Sequence, residues 1–159
     1  MSLANYAGLK QEIADHLDRD DLTSNIDTFI DLAEARHKRE LRVRDMLTRA
    51  SFSLSTRFLD IPTGFLAMKN LRLLTSPISL PREVGIDEVN RWRDDTAGTP
   101  RFYSIHSQIE FDRAPAAAVS AELIYYVAPT ALSDANTTND ILTNHPDVYL
   151  YGSLIYCRS

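Results

Sequence analysis

Between Leu22 and Arg49 the chain reads LTSNIDTFIDLAEARHKRELRVRDMLTR, with no glycine or proline to break a helix. Ile26, Ile30, Ala33, His37 and Leu41 recur at spacings of three and four, which is one face of an α-helix, with Phe29 and Ala35 on its flanks. Ser24 is the expected N-cap and Thr23 a second candidate, because a hydroxyl there can accept from the free N–H groups of the first turn. Asp27 places a carboxylate at the same positive end. The pattern predicts a helix of roughly 22–25 residues, long for a globular domain. Its charges are sorted. Asp27, Asp31 and Glu34 occupy the first half; Arg36, Lys38, Arg39, Arg42, Arg44 and Arg49 occupy the second, against only Glu40 and Asp45. Two readings fit: macrodipole matching on a solvated helix, and a partner surface, since the basic groups continue through mid-helix where the dipole asks for nothing.

The rest of the chain limits what that surface can meet. A net charge of −5 over 159 residues argues against a general nucleic-acid binder, whose domain would be basic. Residues 1–35 carry eight acidic side chains against Lys10 and Arg19, so that end calls for a basic neighbour. Cys157 is the only cysteine, which excludes an intrachain disulfide and a cysteine-based zinc site and fits a reducing compartment. No apolar run reaches the ~18 residues of a membrane span, and the N-terminus lacks a signal-peptide core. The expectation is a soluble protein made in the cytoplasm, one domain by length, with an inserted subdomain.

A first helix is predicted over Ala4–Asp18, with Tyr6, Leu9, Ile13 and Leu17 as its apolar edge. The polar link Asp18–Arg19–Asp20–Asp21 is short, so this helix folds back antiparallel on the long one. After Arg49 the pattern turns strand-like over Phe52–Leu54, Phe58–Ile61 and Ile78–Leu80, punctuated by Pro62–Thr63–Gly64 and by Pro77 and Pro81; Leu66–Leu74 fits strand or helix, and its flanking turns favour strand. Ile86–Asp94 returns to helical spacing, with Trp92 expected to plug the sheet. Arg101–Ile105, Gln108–Phe111 and Ala121–Val127 follow as strands. The last has no polar face and should be central or sandwiched. Pro129–Asn144 reads as a loop. A final helix starts at Asn144–His145–Pro146, where proline at the first helical position costs nothing; its residues are apolar on most sides, so it should be buried. The fold class is therefore α+β. A helical bundle of two N-terminal helices and a C-terminal one (1–49 and 145–159) carries an inserted antiparallel β-rich subdomain (50–144), with a short helix near 86–94.

Chemistry is sparse. DANTTND at 134–140 resembles the start of a calcium loop, but Asn139 stands where that loop needs glycine and His145 where it needs glutamate. His16, His37, His106 and His145 have no metal-binding spacing, and no nucleophile elbow or phosphate-binding loop occurs. Asp20/Asp21 and Asp94/Asp95 lie in solvated links that would not separate their acidities. Phe102, Tyr103 and Phe111 near Arg101 and Arg113 could stack bases, but they read as sheet core. The expectation is no enzyme, no catalytic residues, no metal and no cofactor.

Two segments carry a resemblance: ANYAGLKQEIADHLDRDDLTSNIDTFIDLAEARHKRELRVRDM (4–46) and SDANTTNDILTNHPDVYLYGSL (133–154), with FLDIPTGFLAMKNLRLL and GTPRFYSIHSQIEFDRAP between them. In this order they resemble the phage head-to-tail adaptor (connector) proteins, the group that includes tail tubular protein A and the gatekeepers of short-tailed phages. The resemblance spans nearly the whole chain, and AEARHKRELRVRDM and ILTNHPDVYLYGSL are its specific parts. It implies a structural virion protein in the virion neck, made in the bacterial host cytoplasm. It also implies a homo-oligomeric ring, usually a dodecamer, that docks under the portal, receives the tail or nozzle protein, and lets DNA pass without reading its sequence. A last helix continuing past YGSL toward the portal is implied as well. A ring contact is heterologous, one face meeting a different face of the next copy. On that basis Asp15 and Asp18 of the first helix and Arg36, Lys38, Arg39, Arg42 and Arg44 of the long one are the candidate subunit or portal interface. The alternative from another class is a non-viral ligand- or glycan-binding module on a helical stalk.

Overall fold

The structure, a computed structural model, describes residues 3–18 and 20–157; of Asp20, Asp21 and Thr23 it describes the backbone alone. Arg19 of the acidic link, the hydroxyl of Thr23 and the terminal Arg158–Ser159 therefore lie outside the described residues. The protein is α+β and divides into two compact units, Met1–Met46 with Ala128–Ser159, and Leu47–Val127.

The first unit opens with α1 (Tyr6–Leu17). Asn5 caps it by accepting from the Gly8 N–H at 2.8 Å. Asp18 closes it in the left-handed region at φ 47°, a conformation that Asp tolerates better than most side chains. Tyr6, Leu9 and Ile13 are buried, as the spacing predicts. A 3₁₀ turn (Asp20–Asn25) then leads into α2 (Ile26–Glu40). Ile26, Ile30, Ala33 and His37 form its inner stripe as expected, and Glu34 joins them.

Three details of this helix differ from the sequence reading. Ser24 is not its cap: the chain enters through a turn that is already helical, and Asn25 stands at the cap position without a side-chain bond. The helix has 15 residues; the chain is extended at Leu41 and makes a 3₁₀ turn at Arg44–Met46. Without glycine, the Arg42 guanidinium bonds back to the carbonyls of Lys38 and Leu41, replacing intrahelical partners lost at the C-terminus. Sheet pairing takes over at Leu47, which helix propensity could not foretell. Arg42, Arg44 and Arg49 are thus not on the helix.

The unit resumes after residue 128. The stretch expected to be loop contains α4 (Asp140–Asn144), and α5 (Pro146–Tyr156) follows with proline in its first turn. α5 packs on α2 and α1. Tyr149 and Leu150 are buried, but Tyr151 and Ile155 are 62% and 54% exposed, so this helix is only half covered.

The second unit holds β1 (Leu47–Leu54), β2 (Phe58–Asp60), β3 (Phe65–Leu73), β4 (Arg82–Glu83), α3 (Ile86–Arg91), β5 (Phe102–Ile105), β6 (Gln108–Phe111) and β7 (Val119–Val127). Two sheets, ordered β1-β7-β3 and β2-β6-β5-β4, share one core that includes Leu54, Leu71, Ile109, Phe111 and Leu123. β7 is central, as its two apolar faces predict. All strand pairs are antiparallel except the short β4–β5 pair. The Ile78–Leu80 stretch forms only a bridge, Leu73 to Ser79. Trp92 does not plug the sheet. It is 48% exposed and stacked on Phe102, while Val89 is the buried residue of α3. Asp112, fully buried, accepts from the Arg101 and Phe102 N–H groups at 2.8 and 3.2 Å, with the Arg101 and Arg113 guanidinia beside it.

Candidate interaction site

The first unit is built around a polar group on an apolar stripe. The Glu34 carboxylate, buried on α2, accepts from the Leu132 N–H at 2.8 Å and from the Tyr149 O–H at 3.1 Å. Asn139 donates to that hydroxyl at 2.7 Å and to the Thr130 carbonyl at 2.8 Å, while its side-chain oxygen caps α4 through the Leu142 N–H. Burial pushes the Glu34 carboxyl above its ordinary value against these two bonds, and pushes the Tyr149 hydroxyl up. The His37 ring stands edge-on to Tyr149 at 4.9 Å. Its Nδ1 is buried without a hydrogen-bond partner among the described residues, and burial holds its pKa below the ordinary imidazole value. A Cβ on Gly152 would stand 3.1 Å from His37 Nε2 and 3.5 Å from the Ala33 methyl, so a small residue lets α5 approach α2. Asp45 accepts from Asn144 at 2.9 Å and lies 3.5 Å from His145. AEARHKRELRVRDM and ILTNHPDVYLYGSL are therefore two halves of one contact: Glu34, His37 and Asp45 from the first meet Tyr149, Gly152 and Asn144–His145 from the second.

The residues singled out for an interface separate into groups. Arg36 is paired with Glu40 at 2.8 Å, which raises the guanidinium's basicity. Arg42 caps α2, and Arg44 projects almost fully into solvent, 3.9 Å from Asp45. Lys38 is half-buried and Arg39 exposed, and neither makes an ion pair among the described residues. Asp15 accepts from Gln11 at 2.8 Å, and both Asp15 and Asp18 are exposed. Arg49 belongs to the second unit and faces Glu122 on β7 at 3.8 Å. Only Arg36, Lys38 and Arg39 share a helix, and the structure does not draw the basic and acidic members together.

Reading the last helix as buried missed its outer stripe. Val148, Tyr151 and Ile155 follow the 3–4 spacing of a packing seam, the only signal that could have revealed it. On one side a groove of about 420 Å³ lies against His16, Leu17, Tyr151, Leu154 and Ile155. On the other, about 200 Å³ opens against Arg36, Glu40, Leu41, Val148 and Gly152. Among the described residues no cluster of His, Cys, Asp and Glu could hold a metal ion, and no helix is long and apolar enough to cross a membrane.

Residues 4–158 match the family model described as SU10 adaptor protein. No curated protein matches the chain. The chain belongs to the SU10 adaptor family, phage head-to-tail adaptors, and is a bacteriophage structural protein.

Proposed function

We propose that this adaptor is a non-enzymatic subunit of the virion neck. Copies assemble side by side into a ring, with the helical segments as a bundle and the sheet unit as its insertion. The ring sits between portal and tail or nozzle protein, and DNA passes through it without base recognition. The observation that carries this reading is the use of the two signature segments. Glu34, His37, Tyr149 and Gly152 are consumed in packing each against the other, which fixes a rigid helical unit. The unit presents an apolar α5 stripe and the cations Lys38 and Arg39 outward. Nothing in that pattern performs chemistry; all of it suits repeated docking. Asp15 and Asp18 on one copy and Lys38 and Arg39 on the next form the charged part of the subunit contact, which sets register more than affinity. Arg42 is left out of the test because it closes α2.

Light scattering and electron microscopy of the purified chain, alone and with portal particles, test the reading. Rings or portal-bound complexes that weaken with salt are expected, and Lys38→Glu with Arg39→Glu should lower assembly at low salt. A chain that stays monomeric and leaves portal particles undecorated would overturn it.

A further inference from the structure

We infer that the free edge of β1 pairs with β1 of a second copy, in an antiparallel two-fold contact. This goes beyond the ring reading, which uses the helical segments. The direction of the backbone groups follows from the ladder. The Leu74 N–H donates to the Ser120 carbonyl, so Ser120 and every second residue after it turn toward β3. Ala121, Leu123 and Tyr125 therefore turn toward β1, where Phe52, Ala50 and Thr48 face them. That leaves the N–H and C=O groups of Leu47, Arg49, Ser51 and Ser53 aimed away from β7. Among the described residues, none of these four makes a backbone bond outside the β1–β7 ladder. Such groups call for a partner, and an extended chain is what supplies one.

The other sheet edges are blunted, as edges ordinarily are. β2 and β4 have only three and two residues. β3 carries two register shifts, the exposed Lys69 and a bridge from Leu73 to Ser79. β1 has none of these devices. Its eight residues keep unbroken register with β7, hold no glycine or proline, and include one charge, Arg49, which lies 3.8 Å from Glu122 of its own sheet. The core is also open on this side. Thr48, Ala50 and Phe52 face it but are only half-buried, whereas Ala121 and Leu123 beside them are fully buried. The chain's one long unblunted edge is β1 itself, so a second copy meets it with the same strand. Setting Ser51 opposite Ser51 of the second copy keeps the two core faces on one side. Phe52 then stands over Ala50 of the second copy, large against small. Arg49 faces Ser53, so the two Arg49 side chains stay ~13 Å apart along the strands and no like charges meet. The contact is isologous. Its two copies face opposite ways, whereas copies in a ring face one way, so the pair is a form of the free subunit and parts before the ring closes.

Cross-linking on the full chain tests this. Ser51→Cys and Ser53→Cys are made separately, both at exposed positions, and the parent chain, whose Cys157 is buried, is the blank. A short bismaleimide should join Ser51→Cys chains into covalent dimers and leave Ser53→Cys chains single, because the second pair stands ~13 Å apart along the strands. Sedimentation gives the second arm. The parent's two-copy species should be lost in Ser51→Lys, which sets like charges opposite each other, and should return when Ser51→Lys is mixed with Ser51→Glu. Equal linking of the two cysteine variants, or a two-copy species that survives Ser51→Lys, would overturn the pairing. So would a parent that shows neither a two-copy species nor a Ser51→Cys link, even if it forms rings. A Ser51→Cys link in a chain that forms no ring would keep the pairing and remove the ring reading alone.

Discussion

At the scale of single residues, the structure rests on a few buried polar groups that answer one another. Glu34→Ala leaves the Leu132 N–H and the Tyr149 hydroxyl without their acceptor, so it should cost about 2–4 kcal/mol in denaturant melts. Tyr149→Phe keeps the ring against His37 and loses only the hydroxyl, and should cost about 1–2 kcal/mol. In the sheet unit, Asp112→Ala strips two backbone N–H groups of their acceptor and removes the buried carboxylate beside Arg101 and Arg113, a loss of about 3 kcal/mol. His37 gives a pH test. Burial depresses its folded basicity below the ordinary value of 6.5. The unfolded ring therefore takes a proton that the folded one refuses. The stabilisation is complete above about pH 6.5 and is lost as pH falls through the folded value. A melting-temperature profile of the parent should decline on that acid side, and His37→Gln should flatten the decline. An equal slope in both would remove His37 as its source.

At the scale of elements, ends decide more than middles. Arg42→Ala should fray the last turn of α2, measurable as faster amide exchange at Arg39 to Leu41, with a loss of about 0.5–1 kcal/mol. Existence and type of most elements were legible in the sequence because hydrophobic spacing follows burial: Leu9 and Ile13 of α1, Ile26, Ile30, Ala33 and His37 of α2, and Leu123 and Tyr125 of the doubly apolar β7 all point inward as their periods say. The end of α2 was not legible. Leu41 to Met46 favour a helix as strongly as the residues before them, and the helix stops because the chain is drawn into pairing between Leu47 and Tyr126, a partner remote in sequence. α4 was hidden for a similar reason, since its five residues show no period and its cap, Asn139, looked like loop chemistry. Trp92 and the α5 stripe were misplaced because large apolar residues also sit at surfaces, and spacing alone does not say which apolar face the rest of the chain covers. As for the candidate site, the charge sorting was visible. The internal uses of Arg36 and Arg42 were not, because both depend on where α2 ends and how its side chains turn.

For the whole molecule, the two units have separate cores, and Leu47 and Tyr126, at the ends of the sheet unit, are strand partners. Leu47–Val127 made alone should therefore keep a cooperative melt and protected amides in β7, as read by hydrogen exchange; a featureless exchange profile would show that it needs the helical segments. The same wiring imposes an order of manufacture. β7 pairs with both β1 and β3, so the sheets can close once Val127 has left the ribosome. The Glu34 carboxylate waits longer, because the hydroxyl it accepts from lies 115 residues downstream. Until Tyr149 emerges, α1 and α2 have no third helix, and their apolar stripes stay bare beside a finished sheet domain. The helical unit is thus completed only after the whole sheet unit has been made, and its core stays open for as long as that synthesis takes.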